Sequence, residues 1–285
     1  MPMLLRSALA GLLLLMTACE DAGLAAVNIP TRLAEVEETF NTTFDPVEKL
    51  ALDIYRPSGD PAGKLPVIIF FYGGSWQTGA RAEYRFVGSE MAAKGFITVI
   101  PDYRKSPAHR FPAFAEDGAK AVAWVMDNLD ALGGGDVYLM GHSAGAHIAA
   151  TLAVNPEFLA AHDLAPKQLA GVIGLAGPYD FTPRDDDIVA VFVGAPTSAT
   201  HLAGQVTRDV PPMLLQWGEA DDLVGPQNHE RLAAALAKNN VCYQVKTYEG
   251  LGHIDLISAF SWIYRDHRPV RDETVAFLRD GCPYQ

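Results

Sequence analysis

Short, nearly continuous apolar runs recur along this chain: VIIFF from Val67, ITVIPDY from Ile97, VYLM from Val137, AGVIGLA from Ala170, MLLQW from Met213 and CYQVKTY from Cys242. Unbroken rather than alternating apolarity suits strands covered on both faces. Ahead of them KLALDIYRP alternates apolar and polar positions, as a half-buried strand does, and Pro57 closes it. Between the runs the period becomes helical, in EYRFVGSEMAAKG, FAEDGAKAVAWVMDNL, GAHIAATLAV and HERLAAALAKN. Strand and helix take turns, which predicts a mostly parallel sheet flanked by helices on both faces, joined by right-handed crossovers. The interval from Gly177 to Pro212 breaks this rhythm and reads as an insertion. Its triplet Asp185, Asp186 and Asp187 lacks the spaced oxygen ligands and the glycine of a calcium loop, so a solvated turn is expected there.

At 285 residues the chain has room for one large domain with a deep core. Hydrophobic content of 49% and charged content of 20% are those of an ordinary globular protein. The formal charge of -12, spread along the whole length, argues against a nucleic-acid partner, because phosphates require a basic face.

The first 18 residues carry Arg6 as their only charged side chain, followed by a leucine-rich run from Ala8 to Met16 and the small residues Thr17 and Ala18. That run is shorter than a spanning helix and reads as an export signal. LMTAC, ending at Cys19, resembles a bacterial lipobox, which implies cleavage before Cys19, lipidation of that cysteine and attachment to a cell-envelope membrane. The other reading is simple cleavage nearby and a soluble secreted protein. The expected layout is a signal peptide at 1–18, a tether at 19–30 and a catalytic domain at 31–285. An exported chain meets an oxidising compartment, where thiols can pair. Cys242 opens a predicted strand and Cys282 follows the last predicted helix, so a disulfide between them and two unpaired buried thiols both stay open.

The chemistry centres on VYLMGHSAGAHIAATLA, where a strand runs into a glycine-flanked serine and a helical pattern begins straight afterwards. That is the context G-x-S-x-G requires, with Ser143 on a sharp strand-to-helix turn and Gly141 and Gly145 letting strand and helix approach. A serine hydroxyl needs a base to take its proton and an acid to orient that base. MLLQWGEADDLV places Asp221, with Asp222 as its neighbour and competitor, on the loop at the end of a strand; YEGLGHID places His253 on the loop after the last one. His142, His229 and His267 are read as structural or exposed. No H-E-x-x-H or cysteine-histidine cluster suggests a metal, and no metal or organic cofactor is implied. An oxyanion must meet preformed donors, each worth roughly 3 kcal/mol. The turn YGGSW after VIIFF offers the N–H groups of Gly74 and Ser75, which with Ala144 form the expected oxyanion hole, while Gly73 supplies the turn.

From about Leu50 onwards the sequence resembles the α/β-hydrolase superfamily, near hormone-sensitive-lipase-like carboxylesterases, kynurenine formamidases and prenylcysteine methylesterases. GHSAG carries the resemblance, with YGGSW against a family H-G-G-G-W and PDYRKSPAHRFPAFAEDGAKAVAWV against a family D-Y-R-L-x-P-x-x-x-F-P-x-x-x-x-D. Gly218, Asp221 and Val224 resemble the family G-x-x-D-x-x-V, which favours Asp221 over Asp222. Tyr72 and Ser75 stand where the family has histidine and a third glycine. The resemblance implies an α/β-hydrolase fold with a mostly parallel central sheet, helices on both faces and a small insertion after the sixth strand. It implies a Ser143–His253–Asp221 triad cleaving a small-molecule carboxylic ester of short to medium acyl length through an acyl-enzyme. A formamidase-type amide hydrolase and a catalytically silent envelope binding protein are the alternatives. Asp102, Arg104 and Asp117 are expected to tie loops together. The substrate pocket is expected between the insertion and the segment around Trp76, whose aromatic residues could equally form core.

Overall fold

The computed structural model describes residues 36–59, 61–264 and 267–282. The expected signal peptide, Cys19 and the tether lie outside the described residues. Eight strands form one sheet: β1 (Val36–Asp45), β2 (Leu50–Pro57), β3 (Leu65–Phe71), β4 (Ile97–Pro101), β5 (Gly134–His142), β6 (Gly171–Leu175), β7 (Met213–Gly218) and β8 (Tyr243–Tyr248). Their order is β1-β2-β4-β3-β5-β6-β7-β8, with β1/β2 and β2/β4 antiparallel and every pair from β4 to β8 parallel. Each unbroken apolar run lies on one of the six parallel strands. The central ones earn their apolarity, since every residue of β4 and β6 is buried. The leading strand β1 was not predicted. Its sequence VEETFNTTFD is mostly polar, with Val36, Phe40 and Phe44 spaced four apart rather than two, and it lies at the sheet edge with most of its residues exposed or half-buried, so the alternation that marks a strand is too sparse to read.

The principal helices are α1 (Arg85–Ala93), α2 (Ala113–Asp127), α3 (Ala144–Val154), α4 (Pro156–Ala160), α5 (Asp186–Phe192), α6 (Gln227–Lys238), α7 (His253–Ser258) and α8 (Arg268–Asp280). Every residue of α3 is buried, which matches a helix made of alanine, small and apolar residues all round. The insertion follows β6, as expected. Its acidic triplet heads α5 rather than forming a free turn: Asp185 is the N-cap, and Asp186 and Asp187 occupy a first turn where carboxylates meet the positive end of the helix dipole. Among the described residues no helix is long and apolar enough to cross a membrane, and no group of three or more His, Cys, Asp or Glu could hold a metal ion.

Several contacts fix the loops beyond the parallel strands. Arg104 bonds Asp117, Glu48 and Glu116, and Arg81 joins Asp102 to Asp53. Cys242, just before β8, is disulfide-bonded to Cys282, just after α8, with the two Cα atoms 6.1 Å apart. This decides between the two thiol readings in favour of the pair.

Candidate active site

The strand order reverses around β3, between β4 and β5, and α/β sheets place their ligand sites outside the carboxyl ends of strands near such a point. The registers Phe71↔Gly141, His142↔Leu175, Leu175↔Gln216 and Gly218↔Tyr248 bring the ends of β3, β5, β6, β7 and β8 to a common edge. Ser143 follows β5 directly and caps α3 with φ 54° and ψ -123°. A positive φ is costly for a residue with a Cβ and marks stored backbone strain. The surroundings hold it there: the Ser143 N–H donates to Leu175 O at 2.9 Å, and Ser143 O accepts the His147 N–H at 3.2 Å. A Cβ on Gly145 would lie 2.0 Å from Phe71 O, and one on Gly141 would lie 2.3 Å from the Gly145 backbone, so neither position admits a side chain.

Asp221 and His253 come together from the loops after β7 and β8. His253 Nδ1 lies 2.9 Å from Asp221 Oδ2, and both side chains are buried. A carboxylate only accepts, so the imidazole proton sits on Nδ1 and the Nε2 lone pair is left for other work. The other oxygen of Asp221 accepts the N–H groups of Leu223 at 3.0 Å and Val224 at 2.8 Å. Burial pushes the Asp221 carboxyl up, but the hydrogen bonds from His253 and these two amides outweigh it and hold it below 3.8. Asp222 is exposed. The two loops are also sewn together, with the Glu219 N–H donating to Tyr248 O and the Ala220 N–H to Leu251 O, each at 2.9 Å.

The loop after β3 turns through three consecutive positive φ values, 118° at Gly74, 51° at Ser75 and 59° at Trp76. Gly74 O accepts from the N–H groups of Gln77 and Thr78, both at 2.9 Å, Tyr103 Oη donates to Tyr72 O at 2.9 Å, and the Ser106 N–H donates to Trp76 O at 2.9 Å. The Gly74 and Ser75 N–H groups take no part in the backbone hydrogen bonds of the described residues. Ala144, at the first turn of α3, likewise has no side-chain cap. Tyr72, in place of the family histidine, is buried between Tyr84 and Tyr103 with ring centroids 5.6 and 4.6 Å away, and its hydroxyl donates to Asp102 at 3.2 Å.

Residues 52–236 match the BD-FAE family model and residues 195–278 the prolyl oligopeptidase family model. The chain belongs to the BD-FAE family. Among curated relatives of this BD-FAE protein, esterase LipC of Mycobacterium tuberculosis is 31% identical over 195 residues, covering 61% of this chain and 48% of that protein. The isoprenylcysteine alpha-carbonyl methylesterase ICME of Arabidopsis thaliana is 26% identical over 230 residues, covering 72% of this chain and 54% of that protein. The chain thus spans about half the length of the curated relatives it matches. Among solved structures, a fungal esterase from Rhizomucor miehei superimposes with a TM-score of 0.75 at 20% identity, over 93% of this chain and 90% of that one. The Pyrobaculum calidifontis esterase gives 0.72 at 22% identity, over 92% and 89%. The fold is that of the α/β-hydrolases.

In this BD-FAE chain the surroundings of Trp76 are packed rather than open. Trp76 is 3% exposed, stacked on Phe181 at 6.0 Å and met edge-on by Phe192 at 4.9 Å and His147 at 5.1 Å. Phe181 and Phe192 belong to the insertion, so the insertion and the loop after β3 close a wall of rings beside α3. The cavity of about 380 Å³, lined by Phe111, Phe158, Thr151 and Ala199, lies further down α3. Thr151 is about 12 Å along the helix from Ser143, and no triad candidate lines that cavity.

His142, read from the sequence as structural or exposed, is buried against the His253 loop. His142 is 2% exposed, its Nε2 is 3.0 Å from His253 O, and its ring centroid is 4.9 Å from that of His253. No hydrogen bond joins the Ser143 hydroxyl to the His253 ring among the described residues; in unliganded sites such bonds are commonly long and tighten with substrate.

Proposed function

We propose that this BD-FAE protein is a serine carboxylesterase in which Ser143, His253 and Asp221 act as nucleophile, base and orienting acid. The observation that carries the reading is the pairing of a strained strand-to-helix serine with a buried histidine–aspartate couple delivered to the same sheet edge. As Ser143 Oγ attacks the ester carbonyl carbon, His253 Nε2 takes its proton and the carbonyl π electrons move onto oxygen. The Gly74, Ser75 and Ala144 N–H groups receive that oxyanion. Collapse breaks the bond to the alcohol oxygen, which takes the proton from His253 and leaves an acyl-enzyme. Water then attacks the acyl carbon, giving its proton to His253, and the second collapse releases the carboxylic acid and restores the serine. Asp221, held ionised by its neighbours, accepts the Nδ1–H throughout and stabilises the transient imidazolium. Ester cleavage is favoured over amide cleavage by the names of the relatives, an esterase and a methylesterase.

The test is a panel of p-nitrophenyl acetate, p-nitrophenyl butyrate and N-formylkynurenine. The expected outcome is turnover of the esters, with kcat lowered by about 10⁴-fold or more in Ser143→Ala. Preference for N-formylkynurenine would move the reading to an amide hydrolase, and a folded protein silent on every ester would end it.

We also propose export and lipid attachment through Cys19. The composition of the first 18 residues supports it, as does the Cys242–Cys282 bond, since such bonds belong to oxidising compartments. In cells fed labelled palmitate the wild type should take label and Cys19→Ala should not; equal labelling of both would remove the anchor.

A further inference from the structure

His142 occupies the x position before the nucleophile, and its ring is placed where three loops meet. It is the last residue of β5, so its own backbone is the elbow that presents Ser143. Its Nε2 lies 3.0 Å from the carbonyl oxygen of His253, a residue 111 positions away. A carbonyl only accepts, so Nε2 carries the ring proton and donates it. The opposite ring nitrogen, Nδ1, is buried with no hydrogen-bond partner. That bare edge faces the oxyanion turn: a Cβ built on Gly73 would come within 3.0 Å of His142 Nδ1 and 3.2 Å of Ser143 Cβ. One ring therefore fills the space between the nucleophile elbow, the oxyanion turn and the loop carrying the base.

We propose that His142 is a positioning residue, a strap whose Nε2–H holds the His253 backbone against the elbow so that the catalytic imidazole stays within reach of Ser143. The proposal rests on the serine-esterase reading above. The Asp221–His253 bond fixes how the base ring is turned, but not how far its loop stands from β5. The bond from His142 to His253 O spans that gap directly, and the ring contact at 4.9 Å packs the base from the side. A neutral ring is required, since a second cation here would oppose the imidazolium that forms on His253. Burial, with the neighbouring His253 adding to it, holds His142 down at about 3, so the ring is uncharged over the whole working range.

The test compares His142→Phe, which keeps a ring but loses the donor, with His142→Gln, whose amide can reach the same carbonyl. On p-nitrophenyl acetate, His142→Phe should lower kcat about tenfold or more, with KM within about twofold of wild type, because a base displaced by a fraction of an ångström costs rate rather than binding. His142→Gln should recover most of the loss. Wild-type kcat in a folded His142→Phe overturns the strap, and so does a folded His142→Gln as slow as His142→Phe. If neither variant folds, ¹⁵N spectra of the imidazoles of the unmodified protein decide: the proposal requires the proton on His142 Nε2 and is overturned by finding it on Nδ1. The two levels of the argument fail separately. Turnover persisting in Ser143→Ala overturns both the esterase reading and the strap, whereas an inactive Ser143→Ala beside a fully active His142→Phe overturns the strap alone.

Discussion

Asp221 is buried, yet its carboxyl sits below 3.8 because His253, Leu223 and Val224 all donate to it. The amide of Asp221→Asn could donate to His253 Nδ1 and stabilise the wrong tautomer, with the proton on Nε2 where the serine needs a lone pair. The expected loss is about 10⁴-fold in kcat at neutral pH, read on p-nitrophenyl acetate; a loss under tenfold would remove Asp221 from the reaction. Two other buried imidazoles govern acid stability. His142 is held down at about 3 and His147 at about 4, each chiefly by burial, against an ordinary 6.5. The unfolded chain therefore binds more protons than the folded one between these values, and stability must rise with pH across that window. The contribution is complete above 6.5 and is lost progressively on acidification. Urea unfolding at pH 7.5 and pH 5 should show this loss, and His147→Gln should flatten it; identical slopes would mean that His147 is not the group titrating. The placement of Ser143, Asp221 and His253 on loops beyond strand ends was legible because glycines lie within three residues of each: Gly141 and Gly145, Gly218, and Gly250 and Gly252. The role of His142 was not, because the atom it meets belongs to a loop 111 residues away and no local pattern reports such a contact.

The parallel strands and their helices could be read from apolar runs and period changes because burial on both faces forces those patterns. β1 could not, since an edge strand pairs through its backbone and gives few side chains to the core, here only Val36 and Phe44. The insertion was read as an interruption, but its packing on the loop after β3 was invisible: the contacts of Phe181 and Phe192 with Trp76 cross more than a hundred residues of sequence. That wall predicts a limit on acyl length. Phe192→Leu thins it where its ring meets Trp76 edge-on, at the cost of a volume-reducing core change, roughly 1–3 kcal/mol. In an acetate-to-octanoate series the ratio of kcat/KM for long over short acyl groups should rise severalfold; an unchanged ratio would show that the wall does not bound the acyl site.

Across the whole molecule, the segment that carries His253 is also the one closed by the covalent link. Cys242 precedes β8 and Cys282 follows α8, so the bridge, with a separation of 40 residues, encloses the His253 loop, α7 and α8. β8 is the outermost strand on its side, paired only with β7, and most of its residues are half-buried, so ladder and core hold it less firmly than they hold β5 or β6. Closing a loop of this length removes unfolded-state entropy worth about 3–4 kcal/mol. For a chain of this size that corresponds to a melting temperature lower by roughly 10 °C when both cysteines are replaced by serine. Activity at 25 °C should barely change, because the Glu219–Tyr248 and Ala220–Leu251 bonds still hold the loops of Asp221 and His253 together. The two effects separate on heating: the double variant should lose the proposed activity at the lower temperature, in step with its unfolding. Reduction of the wild type should reproduce that shift. A melting temperature indifferent to both treatments would mean that β8 and α8 are secured by packing alone.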